Sequence, residues 1–230
     1  MGDDDPGWIV EHLTGTAASF HGRELPAGGA RRVWVHAVTG PALVLGSTQS
    51  PDLVDPEAAA RAGVEVVRRR SGGGAVLVEP GGVVWVDVVV PPHDGRWDDD
   101  VGRATHWVGD AWARALAACG IAGATVHRGG MAPTPWSRLV CFGGMGPGEV
   151  AVGGRKVVGI AQRRTRDGAR FQTAVLLRWE PERLLALLRL PADDAARAAD
   201  DLAARAAPVA ASASALVTAL LDALDHESGG

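Results

Sequence analysis

Residues 153 to 164 read GGRKVVGIAQRR, and Lys156 within them is the only lysine of the chain; the rest of its 23 Lys plus Arg are arginine. Arginine replaces lysine wherever only surface charge is needed, but not where a compact ammonium or a titratable amine is required. Lys156 is therefore read as a site residue. On a strand, its aliphatic stem packs while the ammonium reaches into a cleft. A second candidate is RRRSGGGAV, residues 68 to 76. Three consecutive glycines leave backbone N–H groups open to a phosphate or carboxylate, and the adjoining arginines can add charge-assisted hydrogen bonds. The plainer alternative is a solvated turn between strands. The spacing matches neither a P-loop nor a dinucleotide fingerprint. The third candidate is Cys141. A lone cysteine is most often a small buried hydrophobe, which suits Cys119 on the apolar face of its helix. Cys141 instead lies in a long Gly/Pro loop, where a nearby Lys156 ammonium can stabilise its thiolate.

The elements that must carry these residues are mostly strands. WVHAVTGPALVLGSTQ (34–49) predicts two strands around a Gly-Pro turn, PEAAARAG (56–63) a short helix, and VEVVRRR a strand running into the glycines. AVLVEPGGVVWVDVVVP holds two β-prone runs around Pro-Gly-Gly. From Val101 to Cys119 the period becomes helical, with Trp107, Ala111 and Ala115 on one face and Gly120 as the cap. Residues 127–148 form a loop rich in Gly and Pro, of a length that is usually functional or disordered. EVAV-GG-RKVVGIA predicts a hairpin, FQTAVLLRW another strand, and the segments after Pro181 predict helices. The expectation is an α/β (α+β) fold with a mixed β-sheet core and flanking helices. Residues 1–30 are expected to be a poorly ordered N-terminal segment, 31–190 the catalytic domain, and 191–230 C-terminal helices packed on it.

Composition narrows the partners. The net charge of -4 gives no electrostatic basis for nucleic-acid binding. The most apolar stretch is broken by Glu79, Asp87, glycines and prolines, so no membrane span is expected. MGDDDPGW lacks the marks of a signal peptide, and a cytoplasmic location is the simplest expectation. Two cysteines make neither a disulfide framework nor a zinc site. The histidines show no metal-ligand spacing; His21, His36, His93 and His127 are read as structural and His226 as part of the tail. The DDD runs at 3–5 and 98–100 are read as solvated loops or helix N-termini.

In their order and spacing, PALVLGSTQS (41–50), RRRSGGGAV and GGRKVVGIAQRR resemble the lipoate–protein ligase A and octanoyl-transferase branch of the biotin/lipoate protein ligase superfamily. The resemblance covers roughly residues 40 to 190. It implies that Arg69, Arg70, Ser71, Gly72, Gly73, Gly74, Ala75 and Val76, with Gly159, Ala161 and Gln162, shape an acyl or acyl-adenylate pocket. It implies too that Lys156 contacts the acyl carbonyl and phosphate, polarising the carbonyl as charge develops on its oxygen. Three departures accompany it. Val78-Glu79 stands in place of His-Asp, Gln172-Thr173 in place of His-Gly, and Cys141-Phe142 occupies roughly the place of an Asn-Asp pair. They count against ATP and metal handling.

Cys-Phe at that point is similar to the cysteine-dependent octanoyl transferases. That likeness implies that Cys141 takes an octanoyl group from acyl carrier protein as a thioester, with Lys156 holding the thiolate or acting as its base, and passes it to a lysine of a lipoyl domain. This reading needs no cofactor and no metal. The alternative is an ATP-dependent lipoate–protein ligase, with ATP and Mg as cofactors and lipoate or octanoate as substrate. A third expectation is a non-catalytic lipoyl-domain or acyl-ligand binding subunit.

Overall fold

The computed structural model describes residues 7–26 and 29–225. The readings of the 3–5 acidic run and of His226 lie outside these residues.

Among the described residues, ten strands form two sheets. The larger takes in β1 (Ile9–Gly15), β2 (Arg32–Val38), β6 (Val83–Val90), β7 (Ala124–Val126), β8 (Val150–Val152), β9 (Arg155–Thr165) and β10 (Gly168–Leu176). Its order is β1-β2-β6-β10-β9-β8-β7, and only the β1–β2 pair is parallel. The smaller sheet, of order β4-β3-β5, comprises β3 (Ala42–Leu45), β4 (Glu65–Arg68) and β5 (Val76–Val78). The mixed sheet with helices on its flanks is the expected α+β class.

Both faces of β6 are covered, which is why VVWVDVVV reads as a nearly continuous apolar run. Val84, Val86, Val88 and Val90 pack against α3 (His106–Ala118) and α6 (Ala213–Asp225) through Trp112, Leu116, Leu216 and Leu220. Trp85 faces the other way and joins Ala42, Val44 and Val78 of the smaller sheet, so a space is enclosed between the sheets. The two β-prone runs around Pro-Gly-Gly are thus not partners: β5 and β6 lie in different sheets, as do β2 and β3. Short helices α2 (Pro56–Arg61) and α4 (Pro181–Leu185) and the longer α5 (Ala192–Arg205) complete the chain. Pro56 opens α2, and the Asp55 side chain caps it by accepting from the backbone N–H of Glu57 and Ala58.

Within the N-terminal segment, residues 7–26 carry regular structure. β1 pairs with β2 along seven residues, and α1 (Ala17–Gly22) is capped by Thr16 and packed on Trp85 through Phe20. What holds α1 is a buried cluster centred on Asp87. That carboxylate accepts from Trp85 Nε1 at 2.9 Å and Arg170 Nε at 2.8 Å, and meets His36 Nε2 at 2.8 Å. Arg170 also donates to the carbonyls of Phe20 at 2.8 Å and Arg23 at 3.0 Å. Burial would raise the Asp87 pKa, but Arg170 and His36 outweigh it and hold it at about 2.

Candidate active site

Lys156 is placed by the β8–β9 hairpin. Gly153 (φ 57) and Gly154 (φ 76) supply the two left-handed residues that a two-residue turn matching strand twist requires. The side chain is turned inward and is 2% exposed. Its Nζ donates to the Cys141 carbonyl at 2.8 Å and the Gly144 carbonyl at 3.3 Å, and it pairs with Glu149 Oε2 at 2.6 Å. The ammonium therefore meets Cys141 at its carbonyl oxygen and not at its thiol. Glu149, itself buried, also accepts from the backbone N–H of Gly146 at 2.6 Å and Ile160 at 3.2 Å.

The glycine loop is built around Arg69. Its guanidinium is buried and donates to the carbonyls of Val44, Gly72 and Gly74, so it shapes the loop from within. Gly74 is glycine for a steric reason: a Cβ there would lie 2.6 to 2.8 Å from backbone atoms of Val140 and Cys141. The approach is that close because Ala75 pairs with the Cys141 segment. Its N–H donates to the Leu139 carbonyl at 2.8 Å, and its carbonyl accepts from Cys141 N–H at 2.9 Å. The long Gly/Pro loop is thus pinned to the glycine loop on one side and to Lys156 on the other.

Two cavities meet at Cys141. One lies between the sheets and is walled by Val76, Val78, Val83, Trp85, Phe142 and Ala174. The other is a polar vestibule that includes Gly72, Gly73, Gly74, Glu149, Lys156 and Gln162. Cys141, Ile160 and Ala161 line both. An apolar chamber behind a small set of polar groups is of the kind that suits an acyl chain with a reactive carbonyl at its head. Cys141 is half-buried and opens the 3-10 turn Cys141–Gly143; Cys119 ends α3 and lines neither cavity.

The expected site residues are mostly brought together. Arg69, Val76, Gly159 and Ala161 line the apolar cavity, though the guanidinium of Arg69 is engaged in the loop. Three fall outside both cavities. Arg70 is exposed and pairs with Glu24, Ala75 is buried under the loop, and Ser71 donates to Gln172 Oε1 at 2.8 Å. That last bond leads to residues the sequence reading set aside. Gln172 Nε2 donates to His21 Nδ1 at 3.1 Å, and both Gln172 and His21 line the apolar cavity. Burial pushes the His21 pKa down to about 3, with Arg170 and Arg69 adding to the effect against Asp87, so the imidazole is neutral. Glu149 was missed as well. Its only sequence signal is a lone acid at the head of the apolar run EVAV, seven residues before Lys156 across a two-residue turn.

Residues 22–219 match the lipoyl protein ligase A/B catalytic domain, and the chain belongs to that family. It is an enzyme of protein lipoylation, an acyltransferase or ligase. Among solved structures it is similar to a Thermoplasma acidophilum protein with bound lipoic acid, at TM-score 0.72 and 18% identity over 96% of this chain and 84% of that one. A bi-partite lipoate protein ligase of the same organism, studied with its lipoyl domain, gives 0.71 and 18% over 96% and 83%. A lipoate-protein ligase A bound with ATP gives 0.66 and 17% over 96% and 84%. At these identities the structures establish the fold alone. No curated protein matches in sequence. Among the described residues no helix is long and apolar enough to cross a membrane.

Proposed function

We propose that the chain transfers an octanoyl or lipoyl group to a lysine of a lipoyl domain through a thioester on Cys141. One observation carries this reading: Cys141 is the cysteine at which the apolar cavity and the polar vestibule meet. The Cys141 thiolate attacks the carbonyl carbon of an acyl thioester, for which acyl carrier protein is the proposed donor. The donor's C–S bond breaks, and its sulfur leaves with a proton. The acyl chain then lies in the apolar cavity while its carbonyl faces the vestibule. A lysine amine of the acceptor attacks that carbonyl, the C–S bond to Cys141 breaks, and the amine proton ends on the Cys141 sulfur as the amide forms. Lys156 offers its ammonium to the oxygen that gains charge in both steps.

The ligase reading is supported by the glycine loop lining the vestibule and by the likeness to a ligase bound with ATP. Backbone N–H groups of Gly72 to Gly74 are of a kind that suits an adenylate phosphate. A divalent metal fits less well. Glu149, the carboxylate of the vestibule, already has both oxygens bonded to Lys156, Gly146 and Ile160. The two readings separate in one assay: octanoyl transfer from acyl carrier protein without ATP supports the thioester, and dependence on lipoate plus ATP supports the ligase.

A further inference from the structure

Glu149 has no part in the chemistry above, yet it is buried and held by three contacts, as Lys156 is. It is 4% exposed, and Lys156 is 2% exposed. Their 2.6 Å contact is therefore a buried ion pair beside a nucleophile. Burying two charges is costly unless the remaining valences are satisfied, and a buried pair is weak evidence for stability alone. Here both Glu149 oxygens are satisfied, by the N–H of Gly146 and Ile160 and by the ammonium. The ammonium's remaining donors go to the carbonyls of Cys141 and Gly144. All three N–H bonds of an ammonium are thus taken. Gly144, at 3.3 Å, is the longest of the contacts.

From this geometry we infer that Glu149 is the positioning residue of the site. It anchors the Lys156 ammonium against the carbonyl of the nucleophile, offsets its charge while the site is empty, and leaves the N–H on Gly144 as the one that turns to the acyl oxygen. The acyl step rests on the thioester reading; the anchoring and charge balance do not. Two consequences follow for Glu149→Gln, whose amide cannot accept from all three N–H groups. The ammonium is no longer offset, and it is no longer held in one orientation.

The test uses the full-length protein, Glu149→Gln, Lys156→Met and the double variant, with thermal denaturation to show that each is folded. The double variant removes both charges together, so it keeps the fold even if Glu149→Gln alone does not. Iodoacetamide alkylation of Cys141, read against Cys119 in the same molecules, reports the charge near the thiol without any acyl substrate. Glu149→Gln should speed it at least about threefold, and Lys156→Met should abolish that gain in the double variant. Single-turnover acylation of Cys141 by octanoyl-acyl carrier protein should fall about tenfold or more in Glu149→Gln. Half-saturation should stay within about twofold, because Glu149 does not line the apolar cavity. The double variant should acylate as Lys156→Met does. Unchanged alkylation in Glu149→Gln overturns the charge-balancing role. Wild-type acylation in Glu149→Gln, or a double variant far slower than Lys156→Met, overturns the anchoring role. Absence of any wild-type adduct overturns the thioester reading instead, and leaves the alkylation result to decide Glu149 by itself.

Discussion

The single lysine of the chain is set in a cage whose members are two backbone carbonyls and a carboxylate. A planar guanidinium is longer and presents its donors in a fixed fork, so Lys156→Arg should lose acyl transfer by at least about tenfold although charge is kept. Steady-state transfer assays check this, and an active arginine variant would remove Lys156 from the chemistry. His21 makes a prediction about pH. Its pKa is about 3 in the folded chain against 6.5 for a free imidazole, so between those values the unfolded chain binds the proton better. Stability is therefore complete above pH 6.5 and declines as pH falls toward 3; from pH 7 to 5 the loss from this group is about 2 kcal/mol. Urea denaturation at both pH values measures it. His21→Gln should flatten the slope. Asp87 does not interfere, because its window lies between 3.8 and about 2. Lys156 was legible in the sequence because it stood alone in composition. His21 was not, since nothing in one sequence reveals that α1 folds back over Trp85 and places an imidazole in the apolar cavity.

The glycine loop and the β8–β9 hairpin act as two jaws on the Cys141 segment. Gly74 is where they close, and a methyl group there meets backbone atoms that can move only by displacing Cys141. Gly74→Ala should destabilise the protein by about 1–3 kcal/mol and reduce Cys141 acylation in the molecules that remain folded. Denaturant titration and intact-mass analysis read the two effects. The hairpin was plain from EVAV-GG-RKVV because its alternation and turn chemistry are local. The helix α2 and its Pro-first, Gly-last signature were plain for the same reason. The pairing of β5 was not. VLV and VVWVDVVV flank a good turn, yet β5 bonds to β3, where Leu77 and Val78 pack with Leu43, Ala42 and Val44, contacts made with residues distant in sequence.

Across the whole molecule, the two sheets face each other through Trp85 and Val78, and α3 with α6 seals the opposite face of the larger sheet. The C-terminal helix belongs to that core, Leu216, Leu220 and Leu224 being fully buried. Leu220→Ala should cost about 2–5 kcal/mol while leaving acylation per folded molecule unchanged, since α6 lines neither cavity. Its helical period announced a buried face, whereas its partner, the valine face of β6, depends on sheet order that no single sequence states. The central claim is that Cys141, seated between the cavities, carries the acyl group. The measurement that meets it most directly is intact mass spectrometry after incubation with octanoyl-acyl carrier protein without ATP, beside Cys141→Ser. An octanoyl adduct on Cys141, absent from the serine variant and moving to added lipoyl domain, is the predicted result. Transfer that proceeds only with lipoate and ATP, and equally well in the serine variant, would contradict it.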